Sequence, residues 1–177
     1  MLTSDHGFST AEVAIRQASG MCDLTLARAL LEEYAAWLDE DLCFQGFAQE
    51  LATLPGAYAK PGGRLLLAGP PGDAFGCIAL RPLPAAGEDA TTATAGEVKR
   101  LYVQPRVRGQ GWGRRLAELV VAEARAIGYR ELKLDTLARM TQARQLYESL
   151  GFVECEPYYV NPLGSPVYLA LELRGAG

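Results

Sequence analysis

The sequence is poor in histidine, because His6 is the only histidine among its 177 residues. This excludes most hydrolytic catalytic triads and most histidine-rich metal sites, and no metal site is predicted. The four cysteines stand far apart and form no C-x-x-C pair, so we interpret them as small core residues rather than as a disulfide set or a zinc site. A general base that works near neutral pH must then be a carboxylate, a water relay or a lysine with a lowered pKa.

Long hydrophobic runs are also missing. The longest, such as Leu65–Ala68, are far too short to span a bilayer, and residues 1–20 do not combine a basic start with an apolar stretch as a secretory signal does. We therefore expect a cytoplasmic protein without a membrane partner. The length and the balance of 49% hydrophobic and 21% charged residues predict one ordinary globular domain over residues 1–177, with a core of about 12–174.

Charges of the two signs are separated along the chain. Residues 1–50 hold nine acidic residues against Arg16 and Arg28, whereas residues 97–130 hold eight basic residues against three glutamates. The basic segment 97–130 suits an anionic ligand. The net charge of −4 for the whole chain argues against a nucleic-acid partner. The run Glu32–Glu50 contains six acids and no base, and it is either a solvated helical face or a lip that attracts an ammonium-bearing substrate.

The stretch Val98–Ile127 predicts a strand, a glycine turn and a helix. Pro105 ends the β-forming run because proline cannot donate a hydrogen bond to a sheet. The turn then holds three alternating glycines, Gly109, Gly111 and Gly113. The helix from Arg114 onward has an apolar stripe at intervals of three and four residues, and Gly128 ends it. A helix that begins directly after a glycine turn presents unpaired amide groups to a phosphate, so we predict a phosphorylated ligand.

The spacing of the glycines separates the common phosphate-binding loops. The dinucleotide fingerprint G-x-G-x-x-G is not met because the third glycine falls one residue early, although Asp135 lies at a suitable distance downstream. A Walker A loop needs a Gly-Lys pair, and the sequence has none. Nicotinamide cofactors and P-loop nucleotides are therefore disfavoured.

The string RGQGWGRRL resembles the acyl-CoA pyrophosphate loop of the GNAT superfamily of N-acyltransferases, whose pattern is [RQ]-x-x-G-x-[GA]. Arg108, Gly111 and Gly113 fill its fixed positions. EVKRLYV, Glu97–Val103, is similar to the family's central strand. ARQLYESLGF, Ala143–Phe152, is similar to its A-x-x-L-Y-x-x-x-G-F helix and turn. Because the three motifs follow in the family's order, the resemblance is specific.

The resemblance implies an α/β fold in which a mixed, mostly antiparallel and centrally splayed sheet is flanked by helices. Periodicity and turn residues predict strands over Glu12–Ala18, Arg64–Ala68, Ala74–Leu80, Glu97–Val103, Glu131–Asp135, Phe152–Glu154 and Val167–Leu173. Helices are predicted from a cap at Asp23 to Leu38, over Leu42–Leu54, from Arg114 to Ile127, and from a cap at Thr136 or Thr141 to Leu150. Residues 82–96 are predicted to be a flexible surface connection, and residues 97–135 a parallel crossover.

The resemblance implies acetyl-CoA as the cosubstrate. In the family, the backbone of the central strand pairs with the pantetheine arm, and one amide reaches the thioester oxygen as an oxyanion hole does. The predicted cofactor-binding residues are Leu101, Tyr102, Val103, Arg108, Gly109, Gln110, Gly111, Trp112, Gly113, Arg114 and Ala143. Trp112 either covers the cofactor or packs beneath the start of the helix.

Two residues are candidates for catalysis. Tyr147 occupies the family's proton-donor position, where a phenol with a pKa of about 10 can protonate a departing thiolate; the alternative is a tyrosine that only packs in the core. Glu97 begins the central strand near the expected acceptor amine. It is either a base that acts through water or a strand-end carboxylate paired with Lys99 or Arg100. Asp135 and Thr136, at the end of the next strand, are weaker candidates for the same water network.

The predicted function is an N-acetyltransferase that moves an acetyl group from acetyl-CoA to a primary amine by direct attack in a ternary complex. The acidic run favours a small-molecule amine over a protein tail. The acceptor pocket is expected between the first two helices and the turn around Asn161, lined by Tyr158, Tyr159 and Asn161. The alternative is a non-catalytic CoA-binding regulatory module, because Met140 stands where the family often has asparagine. The acceptor, the acyl-chain preference and the oligomeric state are left open, a homodimer among the options.

Overall fold

A computed structural model describes residues 14–173. The strands are β1 Ala14–Gln17, β2 Arg64–Gly69, β3 Gly76–Leu83, β4 Ala95–Val103, β5 Glu131–Leu137, β6 Val153–Glu154 and β7 Pro166–Glu172. The α-helices are α1 Gly20–Leu38, α2 Phe47–Thr53, α3 Trp112–Ile127 and α4 Thr141–Ser149. Short 3-10 turns cover Cys43–Gln45, Gly56–Tyr58 and Pro105–Val107. The start of the first predicted strand, before residue 14, lies outside the described residues.

The seven strands form one sheet in the order β1-β2-β3-β4-β5-β7-β6. All neighbouring pairs are antiparallel except β4 with β5, so the prediction of a mixed, mostly antiparallel sheet with a parallel crossover is confirmed. The parallel pair joins Ala95–Glu97 only to Glu131–Lys133. Beyond Glu97 the two strands separate, which leaves one side of β4 from Val98 to Val103 without a strand partner among residues 14–173. This opening is the centre of the site described below.

Alternate residues of the strands point to two cores, one on each face of the sheet. On β2 and β3, Leu66 and Ile78 pack with the α3 side chains, which include Leu116, Val120 and Ala124. Leu65 and Cys77 face the opposite way and pack with α1. α1 turns an apolar stripe toward this core, and its buried residues are Ala27, Leu30, Leu31 and Leu38. α3 therefore covers one face of the sheet and α1 covers the other. The opening between β4 and β5 lies between these helices.

The first helix begins earlier than predicted. Its N-cap is Ser19, and Asp23 lies in the first turn instead of capping the helix from outside. The Asp23 carboxylate accepts a hydrogen bond from the Ser19 amide at 3.1 Å and pairs with Arg16 at 2.9 Å. Burial opposes ionisation of Asp23, but the hydrogen bonds and charge of Arg16 and the Ser19 amide give a lowered pKa. Asp23 therefore bonds the N-terminal end of the helix as predicted, but it does so from inside the first turn and not from the position before the helix.

The predicted helix Leu42–Leu54 is wrong as a single element. A 3-10 turn over Cys43–Gln45 is separated from α2 by Gly46, whose φ of 68° is left-handed and incompatible with a continuous helix. Glycine tolerates this conformation, so the chain bends there. The bend places Gln45 and Glu50 on different elements, and both matter for the site.

Two further helix ends differ from prediction. α3 begins at Trp112, two residues before Arg114, because Gly111 with a φ of 82° acts as its N-cap. α4 begins after Met140 and no side-chain hydrogen bond caps it, so neither Thr136 nor Thr141 has the predicted capping role. The Thr136 hydroxyl instead lies 3.6 Å from the Met140 sulfur. The predicted end of α3 at Gly128 is confirmed.

The connection over residues 82–96 is shorter and more structured than predicted. β3 extends to Leu83 and β4 begins at Ala95. Between them, Asp89 accepts hydrogen bonds from Thr91 and Thr92. The hydrogen bonds from Thr91, and to a smaller extent those from Thr92, lower the pKa of Asp89 to about 2.

None of the helices between residues 14 and 173 is both long enough and apolar enough to cross a bilayer.

Replacing Gly96 by alanine is expected to destabilise the fold by about 1–3 kcal/mol through overpacking. A Cβ at Gly96 would lie 2.9 Å from Leu80 and 2.9 Å from the Tyr129 ring, both in the core. Gly164→Ala is the matched control, because a Cβ there meets nothing within 4 Å. Urea denaturation measures both; a Gly96→Ala protein as stable as the control would contradict this packing.

Candidate active site

Two adjoining cavities occupy the opening between β4 and β5. The larger is an open cleft of about 660 Å³, within the range usual for small-molecule ligands, beside the glycine loop and the start of α3. The smaller is an inner cavity of about 60 Å³, with room for a few water molecules, that lies under α1 and α4. Leu101, Met140 and Ala143 line both. A ligand that enters through the cleft can therefore present one end to the inner cavity.

The glycine loop presents free backbone amides to the cleft. Gly109 and Gly111 have φ values of 79° and 82°, and a Cβ on either would meet nothing within 4 Å. The Arg115 amide bonds the Gly111 carbonyl, so the amides of the first turn before it have no partner within the helix. No side-chain hydrogen bond caps α3. The loop thus has the unpaired amides and dipole end that bind phosphate.

Two arginines stack on tryptophans that line the cleft. Arg108 stacks on the exposed Trp37 ring, with its guanidinium carbon 4.8 Å from the ring centroid, and its Nε donates to the Val103 carbonyl at 2.9 Å. Arg115 stacks on Trp112 at 4.7 Å. These arginines keep most of their donors free because stacking uses the guanidinium face rather than its N–H groups.

Most of the predicted cofactor-binding residues are brought together. Those that line the cleft are Leu101, Tyr102, Val103, Arg108, Gly109, Gly111, Trp112, Gly113 and Ala143. Gln110 is exposed and does not line it. Arg114 turns away, donating to the Ser149 hydroxyl at 2.7 Å and pairing with Glu118. Trp112 packs edge-on against Phe75 at 5.1 Å, as the packing alternative predicts, and it also lines the cleft.

Some cleft residues were missed by sequence reasoning. Trp37, in the last turn of α1, is 45% exposed and lines the cleft. Arg139 enters from the β5–α4 connection and is tethered to the Leu38 carbonyl at 2.7 Å and to Glu40 at 2.8 Å. An aromatic residue left exposed at a helix end was the only sequence feature that could have pointed to Trp37.

Tyr147 lies at the inner cavity. Its ring packs edge-on against Phe152 at 5.3 Å, and the residue is 5% exposed. Burial raises the pKa of the Tyr147 hydroxyl, and the nearby Tyr34 and Asp135 oxygens add to the rise. The phenol therefore keeps its proton throughout the neutral range.

Glu97 sits where β4 and β5 begin to separate and belongs to a buried polar network. The carboxylate is 1% exposed and accepts hydrogen bonds from Arg81 at 2.6 Å and from the Tyr158 hydroxyl at 3.0 Å. Lys99 lies 3.4 Å from Glu97 and 3.3 Å from Asp135, so it bridges the two acids. Of these groups, Lys99 and Asp135 line the inner cavity.

Residues of the turn after β6 add hydrogen bonds to this network. The Tyr159 hydroxyl donates to Asp135 at 2.7 Å, and the Asn161 amide donates to the same oxygen at 2.9 Å. Gln45 donates to the Tyr159 hydroxyl at 3.3 Å. Asn161 and Gln45 both line the inner cavity. The predicted neighbourhood of the acceptor, the turn around Asn161, is thus in contact with the inner cavity.

The acidic run is largely paired within the protein. Glu33 accepts hydrogen bonds from Gln104 at 3.0 Å, Glu40 pairs with Arg139, and Glu50 pairs with Arg100 at 2.8 Å. Asp41 accepts a hydrogen bond from the Cys43 amide at 2.8 Å. Because most of these acids have partners within the protein, we interpret them as structural residues and not as a lip that attracts cations from solution.

Alkaline unfolding is expected from the buried tyrosines. Burial is the largest cause that raises the pKa values of Tyr58, Tyr147, Tyr158 and Tyr159. Because the folded pKa exceeds the unfolded one, their contribution to stability is complete below about pH 10 and is lost as pH rises above it. Phenolate absorbance of these residues should appear together with loss of circular dichroism. Ionisation of all tyrosines near pH 10 with an intact fold would contradict this.

The sequence model of the acetyltransferase (GNAT) family matches residues 26–152. An uncharacterized N-acetyltransferase of Schizosaccharomyces pombe is 38% identical over 152 residues, which cover 85% of this chain and 89% of that protein. An aminoglycoside N(6')-acetyltransferase type 1 of Stenotrophomonas maltophilia is 30% identical over 129 residues, 72% of this chain and 80% of that protein.

Solved structures share the fold. A GNAT-family acetyltransferase from Staphylococcus aureus Mu50 matches with a TM-score of 0.71 at 17% identity, covering 92% of this chain and 99% of that one. The Salmonella typhimurium protein yncA, solved with its cofactor acetyl-CoA, matches with a TM-score of 0.64 at 19% identity, covering 92% of this chain and 95% of that one. At these identities the likeness shows a common fold.

Proposed function

Because the chain belongs to the GNAT family of acetyltransferases, and is an acyltransferase that uses acetyl-CoA, we propose that it transfers the acetyl group to the primary amine of a small molecule. The amine attacks the thioester directly while both substrates are bound. The observation that supports this most is the continuity of the two cavities, which meet at Leu101 and Ala143. A thioester at that junction would lie between the cofactor cleft and the amine.

The cleft residues fit acetyl-CoA. The free amides of the glycine loop and the stacked Arg108 suit its diphosphate. The unpaired side of β4 from Val98 to Val103 suits the amides of the pantetheine arm, because a strand edge pairs with any extended chain of amides. Bound there, acetyl-CoA supplies an activated acyl group. The Leu101–Val103 backbone would place an amide donor near the thioester oxygen.

Tyr147 is the proposed proton donor. Overall, the amine loses one proton and the sulfur gains one as the C–N bond forms and the C–S bond breaks. Tyr147 lines the inner cavity, and burial keeps its hydroxyl protonated, so the hydroxyl can pass its proton to the sulfur and recover one from the amine nitrogen. Such a relay needs no free phenolate, whose formation burial disfavours.

Glu97 is proposed to act as the base through the network rather than by direct contact. Lys99 connects it to the inner cavity, whose wall also includes Asp135. An ammonium that enters the cavity can lose its proton through water to this pair of carboxylates. Glu97→Gln is therefore expected to lower kcat/KM for the amine by about tenfold or more and to leave the KM for acetyl-CoA unchanged. An unchanged kcat/KM would remove Glu97 from the mechanism.

A small molecule is proposed as the acceptor because the inner cavity, of about 60 Å³, is narrow and can admit only the amine-bearing end of a substrate. The relative from Stenotrophomonas maltophilia acts, by its name, on aminoglycosides, which are small molecules with several amines. A protein tail would have to thread between α1 and the Asn161 turn to reach Tyr147.

Release of CoA thiol in the presence of a panel of amino acids, polyamines, aminoglycosides and lysine peptides tests the proposal. We expect turnover with at least one free small amine, and intersecting initial-rate lines when both substrates are varied, as a ternary complex requires. Parallel lines would indicate an acetyl-enzyme intermediate and contradict direct attack. Turnover on peptides alone would contradict the proposed acceptor class.

A further inference from the structure

Arg100 adopts a left-handed backbone conformation, with a φ of 61°, inside β4. The register between β3 and β4 shifts between Cys77 and Ala79, so Arg100 and Leu101 together stand opposite the single residue Ile78. This is a β-bulge, a feature that bends a strand and redirects its side chains and amides. Residues such as arginine seldom adopt a positive φ, so the surrounding structure must hold the bulge in place.

Glu50 holds the Arg100 side chain. Arg100 Nε donates to Oε1 of Glu50 at 3.0 Å and Nη2 donates to Oε2 at 2.8 Å, a two-point fork. The Tyr58 hydroxyl donates to the same carboxylate at 2.8 Å. The Phe47 and Tyr34 rings flank the guanidinium at 5.1 and 5.9 Å. The Arg100 and Glu50 side chains are only 2% and 12% exposed, so water does not compete for the fork.

Stability alone is a poor explanation for this pair. Removing two charges from water costs about as much as their attraction returns, so a buried ion pair is often no better for stability than apolar packing. What a bidentate pair does provide is a defined geometry. Arg100 directly precedes Leu101, which lines both cavities at their junction. An orientation imposed on Arg100 is therefore passed to the backbone that faces the thioester.

We propose that Glu50 is a positioning residue for acyl transfer, which acts through Arg100 to hold the β4 bulge and thereby aims the Leu101–Val103 backbone at the thioester. Glu50 lines neither cavity, so its effect is indirect. The inference rests on the proposed function, because it assigns Glu50 a task in that same reaction.

The charge state of Glu50 suits this task. Burial by itself would raise its pKa, but the hydrogen bonds and charge of Arg100, with the Tyr58 hydroxyl, bring the pKa below its ordinary value. The carboxylate is therefore ionised throughout the neutral range, and the fork persists under working conditions. α2 has no fully buried residue, so Glu50 also helps to attach α2 to the sheet. A role confined to that attachment would change stability but not the kcat of the folded protein.

Kinetics of Glu50→Gln, below its unfolding temperature, separate the two roles. The substitution keeps the shape of the side chain and removes its charge. We expect kcat to fall by about ten- to a hundredfold, because small misplacement of catalytic groups has effects of this size. Calorimetry should show a much smaller loss of affinity for CoA, because its diphosphate still binds to the glycine loop. A wild-type kcat in folded Glu50→Gln would overturn the proposal.

Two further variants complete the test. Arg100→Lys keeps the charge opposite Glu50 but loses the fork, so it should fold and still show a reduced kcat; if Glu50→Gln fails to fold, a wild-type kcat in Arg100→Lys overturns the proposal. Glu123→Gln is the control, because it breaks the Arg64–Glu123 pair on α3 away from the cleft and should keep the wild-type kcat. A fall in the control equal to that in Glu50→Gln would indicate general destabilisation and overturn the positioning role. Failure of the wild-type protein to acetylate any amine would overturn the proposed function itself, and this inference with it.

Discussion

Tyr147→Phe is expected to lower kcat by about a hundred- to ten-thousandfold, the range typical of losing a general acid. Phenylalanine keeps the ring that packs on Phe152 and removes only the hydroxyl at the inner cavity. The departing thiolate then has no positioned proton donor. Affinity for acetyl-CoA should remain close to that of the wild-type protein, because the diphosphate and the pantetheine arm would bind to other residues.

Tyr129→Phe is the matched control for this experiment. Tyr129 is as buried as Tyr147, and its hydroxyl donates to the Gly62 carbonyl at 2.8 Å, outside both cavities. Its loss should cost about 1 kcal/mol of stability and leave kcat unchanged. A Tyr147→Phe enzyme with the wild-type kcat would remove Tyr147 from the chemistry and leave it as a core residue.

Gly113→Val is expected to weaken CoA binding by about ten- to a hundredfold without unfolding the protein. Gly113 lies in the first turn of α3 and lines the cleft, and a Cβ there would meet only Leu146 at 3.9 Å. The valine methyls fit the helix but occupy the space that the diphosphate needs beside the loop amides. Losing a charge-assisted hydrogen bond costs about 1.5–3 kcal/mol, which corresponds to that loss of affinity.

Gly113→Ala shows whether the size of the side chain at residue 113 causes the loss of CoA affinity in Gly113→Val. The family pattern allows alanine at this position, so CoA affinity should be retained. The helix should gain about 0.5–1 kcal/mol of stability, because alanine is the better helix former. Calorimetry for CoA and urea denaturation for stability measure both variants. Equal affinity of Gly113→Val and the wild-type protein would contradict the assignment of this loop to the diphosphate.

The structural features that were predicted best are those that depend on residues close together in the sequence. The strand, glycine turn and helix of residues 98–127 follow from local periodicity, and Gly111 and Gly128 adopt the conformations that only glycine tolerates readily. Strand positions and the parallel β4–β5 pair were predictable for the same reason. Helix starts were less so, because a capping carboxylate such as Asp23 can bond from inside the first turn as well as from outside it.

Contacts between distant residues could not be predicted. The Tyr158–Glu97 and Arg100–Glu50 hydrogen bonds join residues 61 and 50 positions apart. Nothing in the spacing of either pair indicates that they meet. The acidic run shows the same limit, since its composition indicated either a solvated face or a lip that attracts cations, whereas Glu40 and Glu50 each pair with an arginine brought from elsewhere by the fold.

The amides of the Gly109–Gly113 loop are proposed to bind the diphosphate of CoA. Calorimetric titration with acetyl-CoA and, in parallel, with S-acetylpantetheine tests this contact. S-acetylpantetheine has the same thioester arm but lacks the diphosphate and the adenosine nucleotide attached to it. We predict measurable binding of acetyl-CoA and binding of S-acetylpantetheine that is weaker by about a hundredfold or more, with the difference reduced in Gly113→Val. Equal affinity for the two compounds, or no heat with acetyl-CoA, would contradict the claim.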